Sequence, residues 1–213
     1  MEMLRLEFDL QHHLVLSRKD PFEHTLIRLI LSTLATSAEI ANLKKRDLKQ
    51  KGSLCSVQFH GEKARISPLD KETHDLINSL KGEKPFELNE TEIDELVSKY
   101  SPKDKKYSAK SLRKAMIIFL KDSALFEVNL ESLNQKELFD FMLDFNPLYS
   151  GSWLDEDGLR EFVLNYSALN DIADPKRISE EIGVEESFVS STLQSGKSIF
   201  LLAKKFDSER FIS

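Results

Sequence analysis

The sequence predicts a mainly α-helical protein with one small antiparallel β-hairpin or sheet, on three observations. Most of the chain carries apolar residues at helical spacing, many of these runs opening on Asp, Asn or Ser caps. Only residues 53–67, "SLCSVQFHGEKARIS", alternate cleanly in the middle of the chain, with Cys55, Val57 and Phe59 on one side and Gly61-Glu62 as the turn. The third observation is size: 213 residues, 40% hydrophobic, suffice for one sizeable core or two small ones.

In chain order, Leu4, Leu6, Phe8 and Leu10 alternate, so residues 1–19 are expected to be an N-terminal arm or strand. Asp20-Pro21 opens a helix over "PFEHTLIRLILSTLA", because Asp suits the cap and Pro the first helical position. A short amphipathic turn, "SAEIAN", follows and runs into Lys44-Lys45-Arg46. After the hairpin come helices near 70–80 and 90–100, the second capped by Asn89, then a helix over 109–121 capped by Ser108 and another near 135–145. "NPLYSGSW" is the clearest break. It separates an expected helical domain with the hairpin, residues 20–145, from a C-terminal helical region, 146–213. That region should hold helices near 155–169, 175–182 and 185–194 and an apolar tail, "SIFLLAKKF". Within it "RISEEIGVEESFVSSTLQSG" fits a helix-turn-helix pattern, with Ile178, Ile182, Val184, Val189 and Leu193 apolar around Gly183.

Charge is segregated. The net charge is −6, which argues against indiscriminate binding to nucleic acid. Residues 43–65 nevertheless carry seven cations against two carboxylates, residues 101–121 seven against one, and residues 122–213 eight against eighteen. On the 109–121 helix, Lys110, Arg113, Lys114 and Lys121 share a face opposite Leu112, Met116, Phe119 and Leu120.

Several functional classes find no residues to carry them. The single cysteine, Cys55, forms no internal disulfide or Cys-based zinc site and reads as core. His12-His13 reads as a solvated pair, and no metal or cofactor is expected. No phosphate-cradling glycine loop occurs, and no apolar run approaches the roughly 20 residues of a membrane span. An intracellular, cytoplasmic protein is expected.

The order of elements and the motifs "TLATSAEIANLKKRDL", "VQFHGEKARISPL" and "YSAKSLRKAMIIFL" resemble the catalytic domain of the tyrosine recombinase (phage integrase) family over about residues 21–125. Thr33, Glu39, Leu43 and Asp47-Leu48 fit its first motif, Lys63, Arg65 and Pro68-Leu69 its hairpin, and Leu112-Arg113 its later helix start. The resemblance implies the family's fold and a duplex-DNA surface formed by Lys44, Lys45, Arg46, Lys63, Arg65, Lys110, Arg113 and Lys114. In the family, two arginines, a hairpin lysine and further donors stabilise the charge that builds on the scissile phosphate while a tyrosine attacks it. Here Thr36 stands at the first arginine's place and Leu34 at a glycine's, the hairpin lysine falls on His60 or Lys63, Lys110 replaces a histidine, and only Arg113 is kept. Leu193 stands at the tyrosine's place in the late stretch, which leaves Tyr149 as the candidate nucleophile, while Tyr166 reads as core.

The expectation is therefore a DNA-binding protein derived from a recombinase and without strand transfer, strengthened by a homo-oligomer or protein partner through its acidic C-terminal half. The alternatives are a protein-interaction scaffold using that half, and a divergent active recombinase using Tyr149 and Arg113.

Overall fold

The computed structural model describes residues 2–61, 64–124, 129–130, 132–196 and 198. Its elements are α1 (Glu2–Ser17), α2 (Pro21–Thr33), α3 (Ser37–Asn42), a single 3₁₀ turn (Lys45–Asp47), β1 (Leu48–Lys51), β2 (Leu54–Phe59), β3 (Arg65–Leu69), α4 (Lys71–Ser79), α5 (Glu90–Lys99), α6 (Ala109–Ser123), α7 (Gln135–Phe145), α8 (Pro147–Ser150), α9 (Glu156–Asn170), α10 (Pro175–Ile182) and α11 (Glu186–Ser195). The fold is mainly α with one antiparallel sheet of order β1-β2-β3.

The caps read from the sequence form as expected. Asp20 Oδ1 accepts from the amides of Phe22 and Glu23 at the start of α2. Ser108 and Asn89 likewise accept from the first turns of α6 and α5, and the structure adds Asp155 as the cap of α9. The hairpin gains a third strand, because Leu48–Lys51 pairs back on β2 with Leu48 opposite Val57. The β2–β3 register sets Phe59 opposite Arg65. Cys55, Val57 and Phe59 point into the core as their alternation predicts.

Residues 1–19 are not a strand. Glu2–Ser17 is a helix, and the alternating leucines are two helical faces interleaved. Leu6, Leu10 and Leu14 meet a core cluster built on α2, the sheet and α4–α8. Phe8 and Val15 meet a second cluster made by α9, α10 and α11. A helix sandwiched between two cores is apolar around much of its girth, so its pattern loses the single 3.6-residue stripe that marks a surface helix.

The same sandwich corrects the reading of the histidine pair. His12 and His13 are buried, 6% and 0% exposed, and not solvated. His12 Nδ1 bonds the Tyr100 carbonyl at 2.9 Å, its ring stacks on Tyr166, and His13 Nδ1 bonds the Asp9 carbonyl at 2.7 Å. Burial pushes both rings below the ordinary histidine value, His13 to about 3.

The α10–α11 hairpin turns at Gly183, whose φ of +71° only glycine adopts without strain. Lys19, in the α1–α2 turn, reaches across this corner: its ammonium donates to the carbonyls of Glu180 and Glu181, and its stem passes close over Gly183, so that a Cβ there would crowd it. The tail "SIFLLAKKF" lies outside the described residues apart from Ser198.

Candidate nucleic-acid interface

Of the residues that the sequence singles out, Glu39, Arg65, Arg113 and Tyr149 meet at the carboxyl end of α2. A helix leaves its last carbonyls without intrahelical partners and with partial negative charge, and a buried end must satisfy them. Here α2 stops because Leu34 enters the left-handed region at φ +57°, donating its own amide to Ile30 O. The carbonyls that follow are closed one after another by side chains distant in sequence. Asn146 Nδ2 donates to Leu31 O at 2.9 Å, and the Tyr149 hydroxyl donates to Ser32 O at 3.0 Å. Arg65 donates Nη1 to Thr33 O at 2.9 Å and Nη2 to Leu34 O at 3.2 Å. Arg113 donates Nε to that same Leu34 O at 2.7 Å.

Arg65 and Arg113, from β3 and α6, thus share one acceptor. Glu39 lies beside them and takes Arg65 Nε at 2.8 Å and Nη2 at 3.0 Å. Burial alone would raise the Glu39 carboxyl, but the Arg65 guanidinium outweighs it and holds the group below its ordinary value. Arg65 also lies over the Phe59 ring at 4.6 Å, so every nitrogen of its guanidinium is engaged within the protein. Arg113 differs. Only its Nε has an acceptor among the described residues, leaving Nη1 and Nη2 free, while burial and then the neighbouring Arg65 depress its guanidinium.

Thr36, at the first arginine's place, is the N-cap of α3. It forms a capping box with Glu39, whose amide donates to Thr36 Oγ1 while the Glu39 carboxylate accepts from the Thr36 amide. Tyr149 is half-buried, and burial, then the Asp70 charge, push its phenol well above the ordinary value. Its proton points at a backbone carbonyl, and no general base contacts it among the described residues.

The turn Lys44-Lys45-Arg46 divides its cations. Lys45 Nζ donates to the carbonyls of Asn78, at 2.8 Å, and Leu80, closing the carboxyl end of α4. Lys44 and Arg46 have no carboxylate partner for their side chains among the described residues, and Arg46 is exposed. His60, at the end of β2, bonds Asp47 Oδ1 at 3.0 Å, which ties the β2–β3 turn to this cationic turn. Lys110 and Lys114 are exposed on α6 either side of Arg113, also without an acidic partner among the described residues. A chain of contacts therefore runs from α6 through Arg113, Leu34 O and Arg65 into β3, then by Phe59 and His60 to Asp47 and the Lys44–Arg46 turn. Lys63 lies outside the described residues.

Sequence reasoning missed Asn146 and the capping role of Tyr149. The available signal was Asn146-Pro147, a capping residue before a first-turn proline: Asn146 Oδ1 accepts the Leu148 amide and caps α8 while its amide group closes α2. Among the described residues no cluster of His, Cys, Asp or Glu could hold a metal ion, and no helix is long and apolar enough to cross a membrane.

The fold and this site define a mainly helical protein with a small antiparallel sheet and a set of arginines docked on a helix carboxyl end. No family model matches the chain. An uncharacterized protein of Archaeoglobus fulgidus is 45% identical over 210 residues, covering 94% of this chain and 97% of that protein. The chain belongs to the same family as that archaeal protein. Among solved structures, a XerA recombinase crystal structure is similar at 18% identity with a TM-score of 0.45, covering 74% of this chain and 62% of that one.

Proposed function

We propose that this protein binds double-stranded DNA through the exposed cations of the α6 face and the Lys44–Arg46 turn, on a scaffold derived from a tyrosine recombinase that no longer transfers strands. The observation that carries the reading is the division among the cations. Arg65 and Lys45 are engaged by backbone carbonyls, whereas Lys44, Arg46, Lys110, Lys114 and the Nη groups of Arg113 have no acidic partner among the described residues. Five cations joined by one path of contacts suit phosphates, and phosphate contacts give affinity without sequence preference.

The same geometry supports the reading that strand transfer is lost. A phosphoryl-transfer site needs donors aimed at the developing charge and an activated nucleophile. Thr36 offers a neutral hydroxyl already bound to Glu39, and the Tyr149 proton is held by Ser32 O with its phenol made harder to ionise. His60, after β2, is held by Asp47 and offers its ring as a remaining donor.

The test is fluorescence anisotropy of a labelled duplex at several salt concentrations, with the wild type beside Lys110→Ala/Lys114→Ala and Lys44→Ala/Arg46→Ala. The expected slope of log affinity against log salt is about −0.9 per phosphate neutralised, hence about −4.5 for five cations, and each pair of substitutions should reduce its magnitude by roughly 2. No binding at low salt, or binding indifferent to both pairs, overturns the reading and turns attention to a protein partner on the acidic C-terminal half. A covalent protein–DNA adduct lost in Tyr149→Phe would overturn the loss of strand transfer.

A further inference from the structure

The turn between α4 and α5, "LKGEKPFE" at residues 80–87, carries two cations that the sequence motifs pass over. Lys81, Gly82, Glu83 and Lys84 are exposed at its tip, with Pro85 and Phe86 buried behind them. The turn is fixed at both ends. On one side Lys45 Nζ closes the carbonyls of Asn78 and Leu80, and the Lys45 amide donates to Glu83 O at 2.9 Å. On the other side the buried Phe86 ring meets Phe22, with 5.6 Å between centroids. Gly82, at φ +76°, lets the chain reverse between these anchors. The carboxylate at the tip is drawn into the seam, where Glu83 Oε1 accepts the Arg46 amide at 3.3 Å. Glu87 borders the same shallow hollow as Lys81 and Lys84, but neither lysine has an ion pair among the described residues.

We infer that this turn is a second phosphate-binding element, with Lys81 and Lys84 meeting the backbone of duplex DNA beside Lys44 and Arg46. The inference rests on the DNA-binding reading above and deepens it. Three observations carry it. Two hydrogen bonds join the turn directly to the amides of Lys45 and Arg46, so its cations are continuous with that surface. Lys45 spends its ammonium on holding the turn, which makes it a positioning residue for cations other than its own. A turn pinned at both ends also loses little conformational freedom when it is bound, so more of its charge interaction survives as affinity. The tip, Lys81-Gly82-Glu83-Lys84, offers no large apolar side chain to anchor a protein partner, whereas phosphates ask only for charge.

The experiment measures duplex affinity by anisotropy across a salt series for the wild type, for Lys81→Ala/Lys84→Ala, and for a control pair on the exposed surfaces of α7 and α10, Lys136→Ala/Lys176→Ala. Each variant is checked for native helicity by circular dichroism. With seven cations engaged, the wild-type slope should be about −6 in place of the about −4.5 of five, and Lys81→Ala/Lys84→Ala should reduce its magnitude by roughly 2 while the control pair leaves it unchanged. No binding by the wild type at low salt overturns the DNA reading and this inference together. A slope that falls in Lys44→Ala/Arg46→Ala but survives Lys81→Ala/Lys84→Ala overturns the inference alone. An equal fall in the control pair also overturns it, because the effect is then one of net charge. A second measurement needs no substitution: excess duplex should protect Lys81 and Lys84 from acetylation by acetic anhydride, read by mass spectrometry. Acetylation of both at the same rate with and without duplex overturns the assignment.

Discussion

The arginines on the α2 carboxyl end and the lysines on the surface of α6 are the same kind of side chain with opposite physical fates. Arg65 donates every guanidinium nitrogen to Thr33 O, Leu34 O and Glu39, and stands three-quarters buried to do so. Lys110 and Lys114, on the helix that also carries Arg113, face water without an acidic partner among the described residues. The difference teaches that a cationic motif is ambiguous until its acceptors are known. A helix end with orphan carbonyls attracts guanidinium as a phosphate does, since both are clusters of oxygens with negative charge. Arginines that close such an end serve stability, and the cations that remain available are those with nothing inside to bind.

The comparison is sharpened first by acid, where the largest effect is expected. His12, His13 and His24 are buried and hydrogen-bonded within the protein, and burial lowers all three, His24 to about 4 and His13 to about 3. The unfolded chain binds protons on these rings below about pH 6.5 while the folded chain does not. Stability is therefore fully present above that pH and falls as pH drops through it toward 4, by up to about 1.4 kcal/mol per pH unit for each histidine. Urea melts from pH 7.5 to pH 4.5 measure this. None of these three histidines belongs to the cationic path proposed to meet DNA, so DNA affinity of the still-folded protein should not weaken across the same range.

Arg65→Ala comes next. It removes three donors from the α2 end and leaves Glu39 partly buried without its hydrogen-bonded guanidinium, a loss of about 3 kcal/mol by urea denaturation. Asn146→Ala leaves Leu31 O open and uncaps α8, a loss of about 2 kcal/mol. Tyr149→Phe removes one hydroxyl donor from Ser32 O, which Asn146 also approaches, and should cost about 1 kcal/mol. A larger loss from Lys110→Ala/Lys114→Ala than from Arg65→Ala would break the comparison outright.

The helices were legible in the sequence because their caps are local: Asp20, Asn89, Ser108 and Asp155 act on amides two or three residues ahead. The fates of the cations were not, because they depend on oxygens far away in the chain. Arg113 meets a carbonyl 79 residues earlier and Asn146 one 115 residues earlier, and neither separation leaves a periodicity. The helix α1 misled for a related reason. Its burial on two sides erased the polar face by which a helix is recognised, and its histidine pair, His12 and His13, reads as solvated because the acceptors are carbonyls that no composition reveals.

The smallest stability effect carries the most functional weight. Lys44→Ala/Arg46→Ala and Lys110→Ala/Lys114→Ala remove side chains without an acidic partner among the described residues, so each pair should change stability by no more than about 0.5 kcal/mol. In segments with net charges of +5 and +6, the loss of two cations relieves repulsion and can stabilise slightly. Against that near-silence, a fall in the salt slope of duplex binding by roughly 2 for each pair isolates binding from folding. Arg113→Ala lies between the two classes. Leu34 O keeps its bond from Arg65, so the stability cost should be about 1 kcal/mol, yet the free Nη edge is lost from the middle of the cationic path. An affinity loss for Arg113→Ala larger than that for either lysine pair would identify this edge as the point where phosphate is held. An equal loss spread over all the variants would mean a diffuse field in which no single cation matters more than its charge.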